Sequence, residues 1–294
     1  MKAKDYRAQL EAELAAERFE EEQVLELVEV HQILANKSST TATRASALGR
    51  CEFGDDEFDE WVSTCLSVLN DESERVAVRM AALDQLKSLV FMAELFEPHH
   101  ASFRESLQRV ALSKSSTMRF SALEYLSHDG DGFAAAQLMA GLRGESPLLV
   151  SQEDAIRFVG EDEHTDIAEL LRDQFDQLSA AAKLEAAQVL GADPRSAPMM
   201  AEVAADKRNA KALRLACLSS VQNSDPQQYQ SMAERLVLDE EEINDVRAAA
   251  LSGLAASNLS DSARKNQNFT ERVKNLKSRS RNVHSAKRQY LKSS

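Results

Sequence analysis

The side chains able to carry chemistry are few, and their spacing argues against most of it. Cys51, Cys65 and Cys217 are an odd number, far apart in sequence, and none belongs to a CxxC pair. A disulfide framework and a zinc site are both excluded by that arrangement. His128-Asp129-Gly130-Asp131-Gly132 has the look of a calcium loop, but position twelve counted from Asp129 is Ala140, where a bidentate glutamate is needed. Glu161-Asp162-Glu163-His164 has no second histidine at ligand spacing and reads as a solvated turn, and His99-His100 beside Pro98 reads as a loop. No Cys/His or paired-carboxylate constellation emerges, so the expectation is a non-catalytic protein holding no metal and no cofactor.

What does recur is a basic position. Aligned copies begin at Arg44, Arg79, Arg119, Gln152, Lys183, Arg214 and Arg247, in steps of 35, 40, 33, 31, 31 and 33 residues. At 100° per residue the offsets +3, +4 and +7 lie within about 60° of that position and share its face. They read Ala47, Leu48, Cys51; Ala82, Leu83, Leu86; Ala122, Leu123, Leu126; Ala155, Ile156, Val159; Ala186, Ala187, Leu190; Cys217, Leu218, Val221; Ala250, Leu251, Leu254. A small residue at +3 lets helices approach and a larger pair fills the gap between layers. Seven copies predict a solenoid in which each unit contacts its neighbours, and one elongated domain.

The basic residue itself then falls on the buried face, where a lone charge is expensive. Asn36, Asp71, Asp206 and Asp239 stand eight residues before it, and Asp176 seven before Lys183, which predicts a ladder of turn acid to helix arginine. Repeats three and four lack that acid. Asp55, Asp129, Asp162, Asp193 and Asp225 fall ten or eleven residues after the basic position and are read as caps of the helix that follows.

Val78-Arg79-x-x-Ala82-Leu83-x-x-Leu86 and Val246-Arg247-x-x-Ala250-Leu251-x-x-Leu254 resemble HEAT or HEAT-like repeats, of the kind found in phycobiliprotein-lyase-type proteins, over residues 20–256. The resemblance implies an all-α fold, a right-handed α-solenoid of about seven helix pairs forming an armadillo-like superhelix. It implies a protein scaffold or adaptor that binds a partner along its concave, inner-helix surface. Two other activities come with it: tetrapyrrole chemistry or chaperoning, as in the lyase-type members, and nucleic-acid binding in a basic groove, as in the DNA glycosylases.

Scarce proline (5) and glycine (9) agree with helix throughout and with no sheet. The expected organisation is an N-terminal capping helix over 1–19, repeats over 20–257, and a linker with a basic tail over 258–294. Phe58, Trp61, Val62, Cys65, Leu66 and Leu69 form the apolar stripe of one outer helix, with Trp61 in the core. With no apolar run of about 18 residues and no apolar leader, a soluble, cytoplasmic protein with buried free thiols is expected.

The outward offsets of the inner helices, +2 and +5 flanked by +6, give a trough with small residues at both ends and charge in the middle. Its candidate partner-binding residues are Glu124, Tyr125, Asp154, Arg157, Phe158 and Glu185, the aromatics serving as anchors.

Net charge is −13, yet residues 264–294 hold ten Lys or Arg against the single acid Glu271, so the tail is +9 and the rest about −22. Phe269, Leu276, Val283 and Tyr290 recur every seven residues, with Val273 between the first two. Arg272, Lys274, Lys277, Arg279, Arg281, Lys287 and Arg288 lie among them. Such a helix is amphipathic and cationic. It suits a terminal cap or a disordered tail, a dock for an acidic partner or for the chain's own acidic trough, a phosphate-backbone contact, or an anionic membrane surface.

Overall fold

The computed structural model describes residues 24–162, 165–256 and 267–293. The capping helix expected over 1–19, the linker core 257–266, Glu163 and His164 lie outside the described residues. Among the described residues the regular structure is all-α save for one two-residue parallel pairing, and the chain divides into two units, residues 1–126 and 127–294.

In the first unit, β1 (Leu25–Glu26) leads into α1 (Leu27–Ala35), followed by α2 (Thr41–Gly49), β2 (Cys51–Glu52) and α3 (Phe58–Asn70). Then come α4 (Val76–Leu89), the single turn α5 (Ala93–Phe96), α6 (His100–Val110) and α7 (Ser116–His128), whose last two residues belong to the second unit. The helices that carry the basic position, α2 and α4, pack on each other, and their companions α3 and α6 do the same. Trp61 and Phe58 are fully buried between them, and the loop at His99 is folded in: its Nε2 lies 2.7 Å from an Asp59 carboxylate oxygen, against the Phe58 and Phe96 rings.

The parallel pairing of Leu25 with Cys51 and Glu26 with Glu52 corrects the expectation of no strand. It has a local cause. Helix α2 stops at Gly49, and the extended chain beyond it meets the approach to α1, with the Leu25 amide donating to the Arg50 carbonyl at 2.9 Å. Cys51 thereby leaves the helix and is only half-buried, so of the three thiols Cys65 and Cys217 alone are buried.

The second unit continues with α8 (Gly132–Leu142), α9 (Gln152–Gly160), α10 (Ala168–Gln174), α11 (Ala180–Val189) and α12 (Ala197–Ala205). It closes with α13 (Lys211–Ser224), α14 (Pro226–Leu238), α15 (Asn244–Ala256), α16 (Gln267–Lys274) and α17 (Arg281–Ser293). The motif-bearing helices pack in sequence, α9 on α11, α11 on α13, α13 on α15, while companion α12 packs on α14. Side-chain caps start the helices: Thr40 for α2, Asp131 for α8, Ser151 for α9, Ser179 for α11 and Asp225 for α14. Of the expected aspartate caps, Asp225 serves in full and Asp193 caps the short turn Pro194–Ser196. At the start of α8 the cap is Asp131, not Asp129, because Gly130 at φ 68 turns the chain one step later. Asp55 is already inside a helical turn behind Gly54, and Asp162 takes the Thr165 hydroxyl at 2.6 Å.

The packing face follows the offsets closely. Every residue at +3 and +4 in all seven copies is buried, and so is every one at +7 except Cys51. The last two helices add a layer that the repeat spacing did not announce. Companion α16 packs on companion α14, and α17 packs on α15, as the two helices of an eighth pair would. In α17 the basic position is Val283, 36 residues after Arg247, and the small residue at +3 is Ala286, with Tyr290 at +7; all three are buried. The Phe269 ring meets Tyr290 edge-on at 5.6 Å, and Val273 completes the seam. Leu276, in the connection, is half-buried.

Candidate partner-binding surface

Four of the pairs are held by their arginine, though not in the way the spacing suggested. Arg79 Nε donates to the Leu69 carbonyl at 2.9 Å, Arg214 Nε to Ala204 at 2.8 Å, and Arg247 Nε to Val237 at 3.1 Å. Arg44 reaches Leu34 through its terminal nitrogen at 3.0 Å. In all four the acceptor lies ten residues back and is the penultimate residue of the companion helix. Carbonyls in a last helical turn have no intrahelical donor and carry the negative end of the helix dipole, so a guanidinium there satisfies both groups. The ladder to the turn acid at −8 is therefore corrected. Asn36, Asp71, Asp206 and Asp239 instead accept the backbone N–H two residues on, closing the turn between the two helices. Asp71 is held below the usual carboxylate range by hydrogen bonds from Ser73, and Asp206 is lowered to about 2 by those from Arg208. Asp176 is exposed, in the short turn Phe175–Gln177.

Carboxylates do reach two of the arginines, from the next pair. Glu74 pairs with Arg44, and Glu242 holds Arg214 by both oxygens, at 2.9 and 2.5 Å. Both acids stand five residues before the following basic position, an offset that sequence reading passed over because the other copies carry Ser39, Lys114, Pro147, Leu178 and Asn209 there. The divergent repeats are satisfied separately. Arg119 donates to the Ser113 and Lys114 carbonyls, Gln152 accepts the Ser179 amide at 3.1 Å, and Lys183 lies over the Phe175 ring.

Away from that face, the +5 residues are exposed in five copies and half-exposed in two, and the +2 residues are half-exposed in all seven. In the first unit Glu124 is exposed, and Tyr125 is half-buried, edge-on to Phe103 at 5.3 Å with Lys87 Nζ 5.8 Å from its ring. In the second, Asp154 holds Arg157 at 2.7 Å and accepts the Ser151 hydroxyl, and Glu185 is half-exposed. Phe158 corrects the expectation of an aromatic anchor. It is 1% exposed and is covered by the Arg157 guanidinium at 5.0 Å, because offset +6 in that helix rotates into the packing. Further along the same unit the outward pairs are Ala216/Ser219 and Ala249/Ser252, a floor of small side chains.

One cleft of about 530 Å³ in the first unit gathers residues that the sequence did not group: His31, Glu60, Thr64, Arg44 and Glu74. His31 Nε2 lies 2.8 Å from Thr64 Oγ1, and its Nδ1 3.6 Å from Glu60. The Thr64 hydroxyl donates to the Glu60 carbonyl at 2.9 Å, so the imidazole donates to the threonine and does not deprotonate it. The thiols offer no nucleophile either. Burial pushes Cys51 up to about 11 and Cys217 up to about 12, and raises Cys65 further. No three His, Cys, Asp or Glu side chains among the described residues converge as metal ligands, and no described helix is long and apolar enough to cross a membrane.

The tail residues divide between packing and solvent. Phe269, Val283 and Tyr290 are buried and Leu276 half-buried, whereas Lys274 pairs with Glu271 at 2.7 Å. Lys287 closes the end of α16 by donating to the Lys274 and Leu276 carbonyls at 2.7 and 3.0 Å. Arg272, Lys277, Arg279, Arg281 and Arg288 are exposed. No protein-family model matches the chain, and no curated protein does.

Proposed function

We propose that the chain is a HEAT-like α-solenoid acting as a non-catalytic protein-interaction scaffold, with its partner seated on the outward offsets of the motif-bearing helices. The observation that carries this reading is the repeated buried face, at offsets +3 and +4 in all seven copies and at +7 in all but Cys51, joined at Arg44, Arg79, Arg214 and Arg247 by an arginine latch to the carbonyl ten residues back. Burial of that face on every motif-bearing helix turns the +2 and +5 side chains outward on packed backbone, which favours recognition over chemistry. The contact residues of choice are Glu124 and Tyr125 in the first unit and, as a separate surface, Asp154, Arg157 and Glu185 in the second. Phe158 is left out because it is packed inside.

Affinity capture from the native source tests the reading. Glu185→Lys in the second unit, at a solvent-facing position, is expected to weaken a partner captured by the parent chain at least about tenfold while leaving the melting temperature within a few degrees, and Glu124→Lys, made separately, tests the first unit's surface in the same way. Equal capture by parent and variant removes this surface from consideration. For the tetrapyrrole alternative, a bilin mixed with the purified protein must show an absorbance shift; an unchanged spectrum rejects it.

A further inference from the structure

We infer that the outward face of the final helix pair is a binding surface for the phosphate backbone of nucleic acid. On α17, Arg281, Arg288 and Lys292 fall within about 20° of one line, and the buried Val283, Ala286 and Tyr290 lie on the opposite side. The three cations are spaced about 10 Å and about 6 Å along the axis. Arg272 on α16 and Lys277 and Arg279 in the connection extend the set to six exposed cations that have no ion-pair partner among the described residues. Elsewhere in the same unit seven cations have a carboxylate partner, while Arg143 and Arg235 are exposed singly. Arg157, Arg172, Arg195, Lys207, Arg208, Lys211 and Arg214 all pair with carboxylates.

Composition chooses among anionic partners. A membrane surface asks for an apolar face to bury in the acyl boundary, whereas Phe269, Val273, Val283 and Tyr290 are buried in the fold and Leu276 and Leu291 are half-buried, so no large apolar side chain of this pair is exposed. An acidic protein asks for an apolar or aromatic centre to its interface, yet the solvent side of α17 offers only Asn282, His284, Ser285 and Gln289 between the cations. Arginine and lysine interleaved with small polar side chains is the set that meets phosphate and sugar oxygens. The acidic remainder of the chain does not forbid this, because exposed charges more than about 8–10 Å away are largely screened at physiological salt. Arg279 also lines a cleft of about 600 Å³ with Lys211, Asp245 and Ser280, in which Lys211 neutralises the Asp245 carboxylate at 2.8 Å.

The test is fluorescence anisotropy of the full-length protein with a labelled oligouridylate of about 20 nucleotides, titrated with salt. With six cations engaged, log affinity should fall against log salt with a slope near −4, about 0.7 per phosphate contact. Arg281→Glu, Arg288→Glu and Lys292→Glu combined should weaken binding at least about tenfold and roughly halve the slope, and the milder set of three Gln substitutions should do so in part. All these side chains point to solvent, so the melting curve should hold; Arg288→Lys should bind like the parent, since a phosphate contact depends on charge. No binding at low salt overturns the inference, as does unchanged binding by the Glu variant. Tighter binding to polyglutamate or to phosphatidylserine vesicles than to the oligonucleotide overturns it too, in favour of an acidic protein or a membrane.

Discussion

Arg214 and Arg247 occupy the same position in successive pairs, use the same Nε to reach the same kind of carbonyl, and are buried to 2% and 5% exposure. They differ in what the next pair offers. Glu242 arrives five residues before Arg247 and closes both terminal nitrogens of Arg214 in a fork, whereas the matching residue before Val283 is Ser278. Arg247 Nη2 is accordingly buried with no hydrogen-bond partner among the described residues. The latch therefore has two separable parts: a carbonyl cap made within the pair, and a carboxylate lent by the neighbour. The last pair keeps the packing face of the repeat, drops the lent carboxylate, and turns its own cations outward.

The sharpest way to break this comparison is to remove the lent carboxylate. Glu242→Ala leaves the Arg214 guanidinium buried and unpaired, and urea unfolding should show a loss of about 3–5 kcal/mol. A loss under about 1 kcal/mol would mean that the carbonyl cap alone suffices. Next in size is Gly253→Ala. The added Cβ overlaps the Tyr229 hydroxyl, which donates to the Ala250 carbonyl at 3.1 Å from a fully buried ring, so a loss of about 1–3 kcal/mol is expected. At the equivalent position in α13, six residues after Arg214, Ser220 already carries a side chain and hydrogen-bonds the Ala187 carbonyl, so the demand for glycine belongs to the Arg247 layer.

Restoring what is missing sharpens the same contrast from the other side. Ser278→Glu places a carboxylate at the offset that serves Arg214, and a gain of about 1 kcal/mol in thermal or urea unfolding is expected. The smallest effect is electrostatic and local. Asp206 has its carboxyl lowered to about 2, so its contribution to stability is complete above the unfolded carboxylate value near 4 and is lost as pH falls toward 2. Carboxyl-carbon NMR should show that low midpoint, and Arg208→Ala should move it up toward the ordinary aspartate value.

How far the sequence reached differs by link in the chain. The period of the basic position, the small residue at +3 and the larger one at +4 were legible, because burial on one helical face imposes a spacing that survives in any copy. The arginine's acceptor was not legible. A backbone carbonyl leaves no trace in residue identity, so only the turn acids stood out, and they turned out to close their own turns. The eighth pair was hidden for a related reason: Val283 stands where the basic residue should be, and the heptad of Phe269, Leu276, Val283 and Tyr290 suits a terminal cap, a disordered tail or a charged dock alike.

By itself, then, the sequence determined the helical periodicity and which side of each motif-bearing helix is buried, since hydrophobic burial acts on residue types at fixed angular spacing. Tertiary structure decided the partners: which carbonyl an arginine caps, which pair lends a carboxylate, that Phe158 faces inward, and that the basic end is a packed layer. Those choices depend on distances between segments 10 to 36 residues apart, and such distances exist only once the backbone has closed.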